Sequence, residues 1–188
     1  MDSLDLLRRT VTETDRLVQG LDGGQLAIQT PCADWTVRDL LNHITAGATM
    51  FAVSAEQGSV PDDVAASLGG DVLGDDFKGA WGAASQRALA AFELPGVMDK
   101  TVTLPFGSMP AGVALNIAIF DVATHACDLA TATGGSIGDA ELLESALAMG
   151  KQMIGPDFRA PGLFDAEQPG PDDAAVTDRL LAFAGRKV

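Results

Sequence analysis

A long stretch that is apolar on all sides constrains the fold of this chain most. It runs from Ser108 to Gly135, and between Val113 and Val122 nearly every residue is apolar. A helix that has no polar face is normally buried against neighbours on several sides. The sequence therefore predicts a central helix of a helical bundle, which begins near Pro110 and ends at the paired glycines that follow.

Three ionisable residues lie in this otherwise apolar helix: Asp121, His125 and Asp128. Asp121 and His125 are four residues apart, so they project to the same side of the helix one turn from each other. A buried carboxylate without compensation is very unfavourable, so it must be neutralised, paired or bound to a metal. Two readings follow: an internal Asp–His hydrogen bond that supports the core, or a metal site.

The second histidine favours the metal site. His43 lies in another predicted helix, which begins after a capping box formed by Thr36 and Asp39. The chain has only two histidines, and the pattern places both in helices of the bundle. Two imidazoles and a carboxylate suit Zn²⁺, Ni²⁺ or Fe²⁺ with one or more positions left open. We therefore predict that His43, Asp121 and His125 converge on one ion.

Other residues near these positions have open roles. Asp128 follows His125 by three residues, a spacing that suits either a partner that orients His125 or an anchor to the helix of His43. Cys127 is turned away from the histidine and is interpreted as a small buried hydrophobe. Cys32 precedes the helix of His43, near a pocket mouth, with no neighbour in sequence that obviously lowers its pKa.

Composition limits the fold and the function classes. The 188 residues fit a single domain, 1–188, and 47% of them are hydrophobic with few alternating β-branched runs, which indicates an all-α protein.

A net charge of −14 argues against nucleic-acid binding and against anionic membrane surfaces. The N-terminus lacks the pattern of a targeting segment. Asn116 and Asp121 interrupt the longest apolar run, which is read as too short for a membrane span. We expect a cytoplasmic protein.

Helix-period spacing and turn residues predict the remaining elements. The predicted elements are a helix from Ser3 (as N-cap) to Val18, a short turn at 62–68, a helix from Asp75 or Asp76 to Phe92, an extended piece at 101–104 before a turn at Phe106-Gly107, and helices at 139–154 and 174–184. Trp35 is read as a hydrophobic plug over a helix start. Phe158, Leu163 and Phe164 are expected to hold the last connection to the surface, and Arg186 to lie at the negative end of the final helix dipole.

Three segments together carry a family resemblance: TPCADWTVRDLLNHI, FGSMPAGVALNIAIFDVATHACDLATATG and the terminal LLAFAGR. They resemble the actinobacterial branch of the DinB-like superfamily, which is similar to the metal-binding domain of mycothiol-dependent maleylpyruvate isomerase. The resemblance implies an all-α, DinB-like four-helix bundle with additional short helices and long loops. It also implies one divalent ion, zinc with nickel or iron as alternatives, and mycothiol as a cosubstrate. In this resemblance the connection before the central helix approaches the metal pocket, which makes Phe106 and Met109 candidate lining residues, with a purely structural role as the alternative.

The resemblance implies a metal-dependent enzyme that performs thiol transfer or thiol-assisted isomerisation with mycothiol and an electrophile. The fuller isomerases of this family have a Glu where this chain has Asp121, and a C-terminal domain that this sequence is expected to lack, so isomerase activity itself does not follow. The alternatives are a non-catalytic metal-binding or small-molecule-binding protein and a purely structural bundle. A homodimer is compatible with the sequence.

Overall fold

The computed structural model describes residues 2–32, 34–155, 159, 165–171 and 173–187. Within these ranges the chain forms seven α-helices, two short 3₁₀ turns and one two-stranded sheet. The helices are α1 (Ser3–Gly20), α2 (Val37–Gln57), α3 (Asp62–Ser67), α4 (Phe77–Phe92), α5 (Ala111–Thr133), α6 (Ala140–Met153) and α7 (Val176–Phe183). The strands are β1 (Thr101–Leu104) and β2 (Gly107–Pro110).

Four of these helices form the bundle. α2 packs against α4 and α5, and α1 packs against the same two helices from the opposite side. Their apolar stripes meet in one core, in which Leu40, Trp81 and Leu115 are fully buried. The predicted all-α, DinB-like bundle is confirmed.

α5 is the central helix, as its apolar character predicted. It begins directly after Pro110 and ends at Gly134, whose φ of 70° lies in the left-handed region that favours glycine at a helix end. By length and composition its 23 residues match a membrane span, so the argument that the stretch is too short was wrong. However, 78% of its most apolar window is buried inside the protein, and packing therefore accounts for its apolar surface.

α6 and α7 cover the side of α5 that the four-helix core leaves free. Phe120 of α5 packs there with Leu147 of α6 and Leu180 of α7 in a second apolar cluster. The start of α6 is fixed by Asp139, which accepts a hydrogen bond from the Leu142 N–H. The same carboxylate accepts two hydrogen bonds from Arg9 at 2.6 and 2.7 Å, which ties α1 to α6.

The structure also refines two smaller predictions. The extended piece at 101–104 is strand β1, and the residues after the turn form an antiparallel partner, in which Met109 pairs with Val102. The N-cap of α1 is Asp2 rather than Ser3, because the Asp2 carboxylate accepts from the Leu4 N–H. Phe158, Leu163 and Phe164 lie outside the described residues.

Candidate metal centre

Local structure on two helices positions the three predicted ligands. The capping box at the start of α2 forms as predicted: the Thr36 N–H donates to the Asp39 carboxylate at 2.9 Å, and the Asp39 N–H donates to the Thr36 hydroxyl at 3.3 Å. This fixes the first turn of α2 and places His43 two turns further along. Asp121 and His125 face it from adjacent turns of α5. The structure therefore brings all three side chains together, and metal binding by them stays a prediction.

The distances from Asp121 to the two histidines fit a tetrahedral ion. Nε2 of His43 lies 3.3 Å from Oδ1 of Asp121, and Nε2 of His125 lies 3.6 Å from the same oxygen. The three ligand atoms all lie within 4.8 Å of one another. Two ligands held about 2.0–2.2 Å from zinc at the tetrahedral angle stand about 3.3–3.6 Å apart. Three protein ligands at this spacing leave a fourth position open, the arrangement of catalytic rather than structural zinc sites.

Electrostatics at the site favour a charged carboxylate. Burial by itself raises the pKa of Asp121, but the charge and hydrogen bond of His43, with smaller contributions from His125 and Arg186, hold that pKa below its ordinary value. Burial likewise opposes the charged form of His43, and Asp121 outweighs it and raises the pKa of the imidazole. An ion at this point would replace the proton that the pair otherwise shares.

His125 is held in one orientation from its other ring nitrogen. Nδ1 lies 3.0 Å from Oδ2 of Asp128, whose side chain is 0% exposed. Arg186 donates to the same carboxylate, from Nη2 to Oδ2 at 2.9 Å and from Nε to Oδ1 at 3.2 Å. An acceptor carboxylate at Nδ1 favours the ring hydrogen on that nitrogen, which would leave Nε2 available to an ion beside Asp121.

Two residues at the site were not assigned to it from the sequence. Trp35 was read as a plug over the start of α2, but its ring centroid lies 4.8 Å from that of His43 and 5.4 Å from that of His125. The ring planes of Trp35 and His125 are 23° apart, so the two rings are stacked. Its position directly before the cap of the helix that carries His43 was the available signal. Arg186 was assigned to a helix dipole. One of its nitrogens does donate to the Ala184 carbonyl at the end of α7, but the others bind Asp128.

The two cysteines differ in position. Cys32, His125 and Asp128 also have potential ligand atoms within 4.8 Å of one another. Arg186 already neutralises Asp128 and repels a second cation, and burial raises the pKa of the Cys32 thiol, so this trio is a poor metal site. Cys127 is fully buried in the cluster beneath α6 and α7, and burial raises its pKa to about 12, as suits a small hydrophobic residue.

A cavity of about 410 Å³ opens on the exposed side of His43. Its lining residues are Asp34, Trp35, Asp39, Asn42, His43, Ala46 and Leu68. Among these described residues two are carboxylates and none is a lysine or arginine. Neither Phe106 nor Met109 lines this cavity: Phe106 is 57% exposed in the turn between β1 and β2, and Met109 packs against the bundle core.

The family model of the mycothiol maleylpyruvate isomerase N-terminal domain matches residues 7–130, a segment that includes all three predicted ligands. The chain belongs to this family. Two relatives match over the full length of both chains at 36% identity, and both are uncharacterized proteins of Mycobacterium tuberculosis, from strains ATCC 25618 / H37Rv and CDC 1551 / Oshkosh.

Solved structures share the fold of this family member. The crystal structure of the mycothiol-dependent maleylpyruvate isomerase superposes with a TM-score of 0.59, and a histidine-to-alanine mutant of that enzyme superposes with a TM-score of 0.61. Each is 18% identical, and the match covers 78% of this chain and 65% of the isomerase chain. At this identity the likeness shows the fold alone. Together with the family match, this fold identifies a mycothiol maleylpyruvate isomerase-like helical domain in the chain.

Proposed function

We propose that His43, Asp121 and His125 hold one divalent ion, and that the protein is a metal-dependent enzyme with a low-molecular-weight thiol as cosubstrate. The observation that carries this proposal is the spacing of the three ligand atoms, 3.3 and 3.6 Å about one carboxylate oxygen. Zinc suits the ligand set and spacing best, with nickel or iron as alternatives. Family membership supports mycothiol as the thiol.

The chain's own residues supply orientation and a partly enclosed approach. Asp128 directs Nε2 of His125 inward, and the Trp35 ring lies against both imidazoles. The cavity beside His43 has the volume of a small-molecule site. A bound divalent ion would supply Lewis acidity that keeps a thiol deprotonated at neutral pH. The lining favours a thiol whose bulk is uncharged, such as a pseudodisaccharide, over an anionic one.

We propose thiol transfer to an electrophile, or thiol-assisted isomerisation, as the reaction class. Maleylpyruvate itself is not the substrate that the site supports best. Maleylpyruvate carries a carboxylate at each end, and a carboxylate that does not reach the proposed ion lies beside Asp34 and Asp39, which no lysine or arginine among the described lining residues offsets. In addition, Asp121 is one methylene shorter than the Glu that the resemblance implies for the fuller isomerases, which changes how the carboxylate reaches an ion.

The test combines elemental analysis with a conjugation assay. Purified native protein is expected to contain close to one equivalent of a divalent metal and to accelerate the conjugation of mycothiol with a generic electrophile such as 1-chloro-2,4-dinitrobenzene. Asp121→Ala removes a ligand and is expected to lose both properties, while Asp99→Ala, a carboxylate outside the site, is expected to keep them. Equal rates in native protein and Asp121→Ala contradict the proposal.

A non-catalytic metal-binding or small-molecule-binding protein is the second candidate. It is favoured by the distance of 3.3 Å between His43 and Asp121, since side chains that already pair with each other do not require a catalytic role. Native protein that binds metal and thiol but accelerates no conjugation supports this candidate.

We further propose that residues 1–188 form one domain and that the protein acts in the cytoplasm, without nucleic-acid or membrane partners. Homodimer formation stays a prediction.

A further inference from the structure

Arg186 lies almost at the end of the sequence and yet reaches the candidate metal centre. Its guanidinium contacts both oxygens of Asp128, at 2.9 Å from Nη2 and at 3.2 and 3.3 Å from Nε. Asp128 is fully buried, and the Arg186 side chain is only 11% exposed. The Asp128 oxygen that accepts from Nη2 also lies 3.0 Å from Nδ1 of His125. Arg186, Asp128 and His125 therefore form one continuous chain of contacts.

We infer that Arg186 is a positioning residue for the metal centre: it holds the Asp128 carboxylate in a single orientation, and Asp128 in turn holds His125 with Nε2 directed at Asp121. The inference rests on the proposed ligand role of His125. It assigns a part in the site to a residue that lies beyond the family match, which ends at residue 130.

The physical basis is the cost of burying Asp128. A buried carboxylate is stable only where an opposite charge and hydrogen bonds compensate it. Without Arg186, Asp128 loses the contacts that hold its plane and is free to turn away from Nδ1 of His125, so that the ring loses its fixed orientation. The paired donors of a guanidinium fix the plane of a carboxylate, which an ammonium group does less well.

The segment that carries Arg186 is itself held firmly. The Arg186 N–H donates to the Leu181 carbonyl at 2.9 Å, and Nη1 donates to the Ala184 carbonyl at 2.8 Å. Leu180 and Leu181 of α7 are fully buried in the cluster that α6 and α7 form on α5. The packing of α7 thus places Arg186 at a defined height along α5, opposite Asp128.

A first experiment reads the histidine ring directly, in metal-free protein. With only two histidines, long-range ¹H–¹⁵N spectra of the imidazoles are simple, and a His43→Gln variant assigns the two rings. Near pH 8 the native His125 is expected to be the tautomer with hydrogen on Nδ1. In Arg186→Gln this tautomer is expected to give way to a mixture. A folded Arg186→Gln protein that keeps the native tautomer overturns the inference.

A second experiment measures zinc affinity by competition with a chromophoric chelator. Loss of a residue that orients a ligand typically lowers metal affinity about 10–100-fold, and Arg186→Gln is expected to fall in that range. Arg179→Gln is the matched control, because Arg179 lies on α7 and binds Glu144 and the Ala174 carbonyl, away from the metal centre. Its affinity is expected to stay near the native value. An equal fall in both variants shows that α7 packing alone is responsible and contradicts a positioning role.

A double variant covers the case in which Arg186→Gln does not fold because Asp128 is left buried and unpaired. Asp128→Asn with Arg186→Met removes both charges together, which proteins tolerate better than the loss of one partner. It is expected to fold, to bind zinc more weakly and to lose the single tautomer. Native affinity and tautomer in this variant overturn the inference. Native protein that binds no zinc but shows the Arg186-dependent tautomer contradicts the proposed function and leaves the Arg186 contact chain supported.

Discussion

Both ring nitrogens of His125 face a carboxylate, with Nδ1 3.0 Å from Asp128 and Nε2 3.6 Å from Asp121. The ring is also stacked under Trp35 and is nearly buried. Such a histidine is in place before any ion arrives, so little ordering is needed on binding. Preorganisation of this kind favours tight metal binding by the folded state alone.

At the residue scale we therefore predict that chelation destabilises the native protein. An ion at about 100 times its Kd contributes about 2.7 kcal/mol to the stability of the folded state, and about 1 kcal/mol shifts the Tm of a domain this size by roughly 2–4 °C. EDTA is expected to lower the Tm of native protein by roughly 5–10 °C, as measured by calorimetry. His125→Ala is expected to melt at the lower temperature already and to respond little. A full response to EDTA in His125→Ala would place the ion elsewhere.

At the scale of elements, α5, α6 and α7 meet at Gly150 of α6, a residue without a side chain. A Cβ on Gly150 would lie 2.4 Å from the Phe120 ring and 2.8 Å from the Phe183 ring. The two rings pack edge to face, with centroids 6.1 Å apart, so neither can withdraw without losing its partner. The close approach of α6 to α5 and α7 therefore depends on glycine at this position.

Gly150→Ala is accordingly expected to destabilise the fold by about 1–3 kcal/mol, the usual range for an overpacked core. Gly82→Ala is the matched control: Gly82 also lies inside a helix, α4, but a Cβ there meets nothing within 4 Å. The better helix propensity of alanine is expected to stabilise that variant by about 0.5–1 kcal/mol. Urea denaturation of both variants measures the difference. Stabilisation by Gly150→Ala would show that the helices separate more easily than the packing indicates.

At the scale of the whole molecule, charge limits what approaches the metal centre. The net charge is −14, and the cavity beside His43 adds the carboxylates of Asp34 and Asp39 to this field. Arg186, the buried cation nearby, is already neutralised by Asp128. A negatively charged group that does not bind the proposed ion therefore meets a repulsive potential at long range and again at the cavity.

We predict that a neutral thiol binds better than an anionic thiol of the same chain length. The probes are 2-mercaptoethanol and 2-mercaptoethanesulfonate, with binding followed by the charge-transfer absorption of cobalt-loaded protein. Two cavity carboxylates acting through water are expected to disfavour the sulfonate about two- to tenfold at low salt, and 1 M NaCl is expected to remove most of that difference by screening. Asp34→Asn is expected to reduce the difference at low salt, and Asp99→Asn, outside the cavity, to leave it nearly unchanged. If neither 1 M NaCl nor Asp34→Asn changes the difference in binding between the two thiols, charge is not its cause.

The sequence by itself determined the parts of this protein that local interactions control. The helix ends follow from side chains that bond within their own turn, as at Thr36, Asp76 and Asp139, and from a glycine at the left-handed position 134. The i, i+4 spacing of Asp121 and His125 put two candidate ligands on one face. Because just two histidines are present, their pairing across the bundle was the simplest arrangement that compensates a buried carboxylate.

The tertiary structure alone decided which distant residues complete the site. Asp128 and Arg186 are 58 positions apart, and no local periodicity relates them; their contact depends on how α7 packs on α5 and α6. The same holds for Trp35, whose ring reaches His125 only because α2 and α5 pack side by side. It holds also for Phe106, which a two-residue turn carries into solvent and away from the cavity. Side-chain identity sets what a residue is able to bind, and the packing of helices sets what it meets.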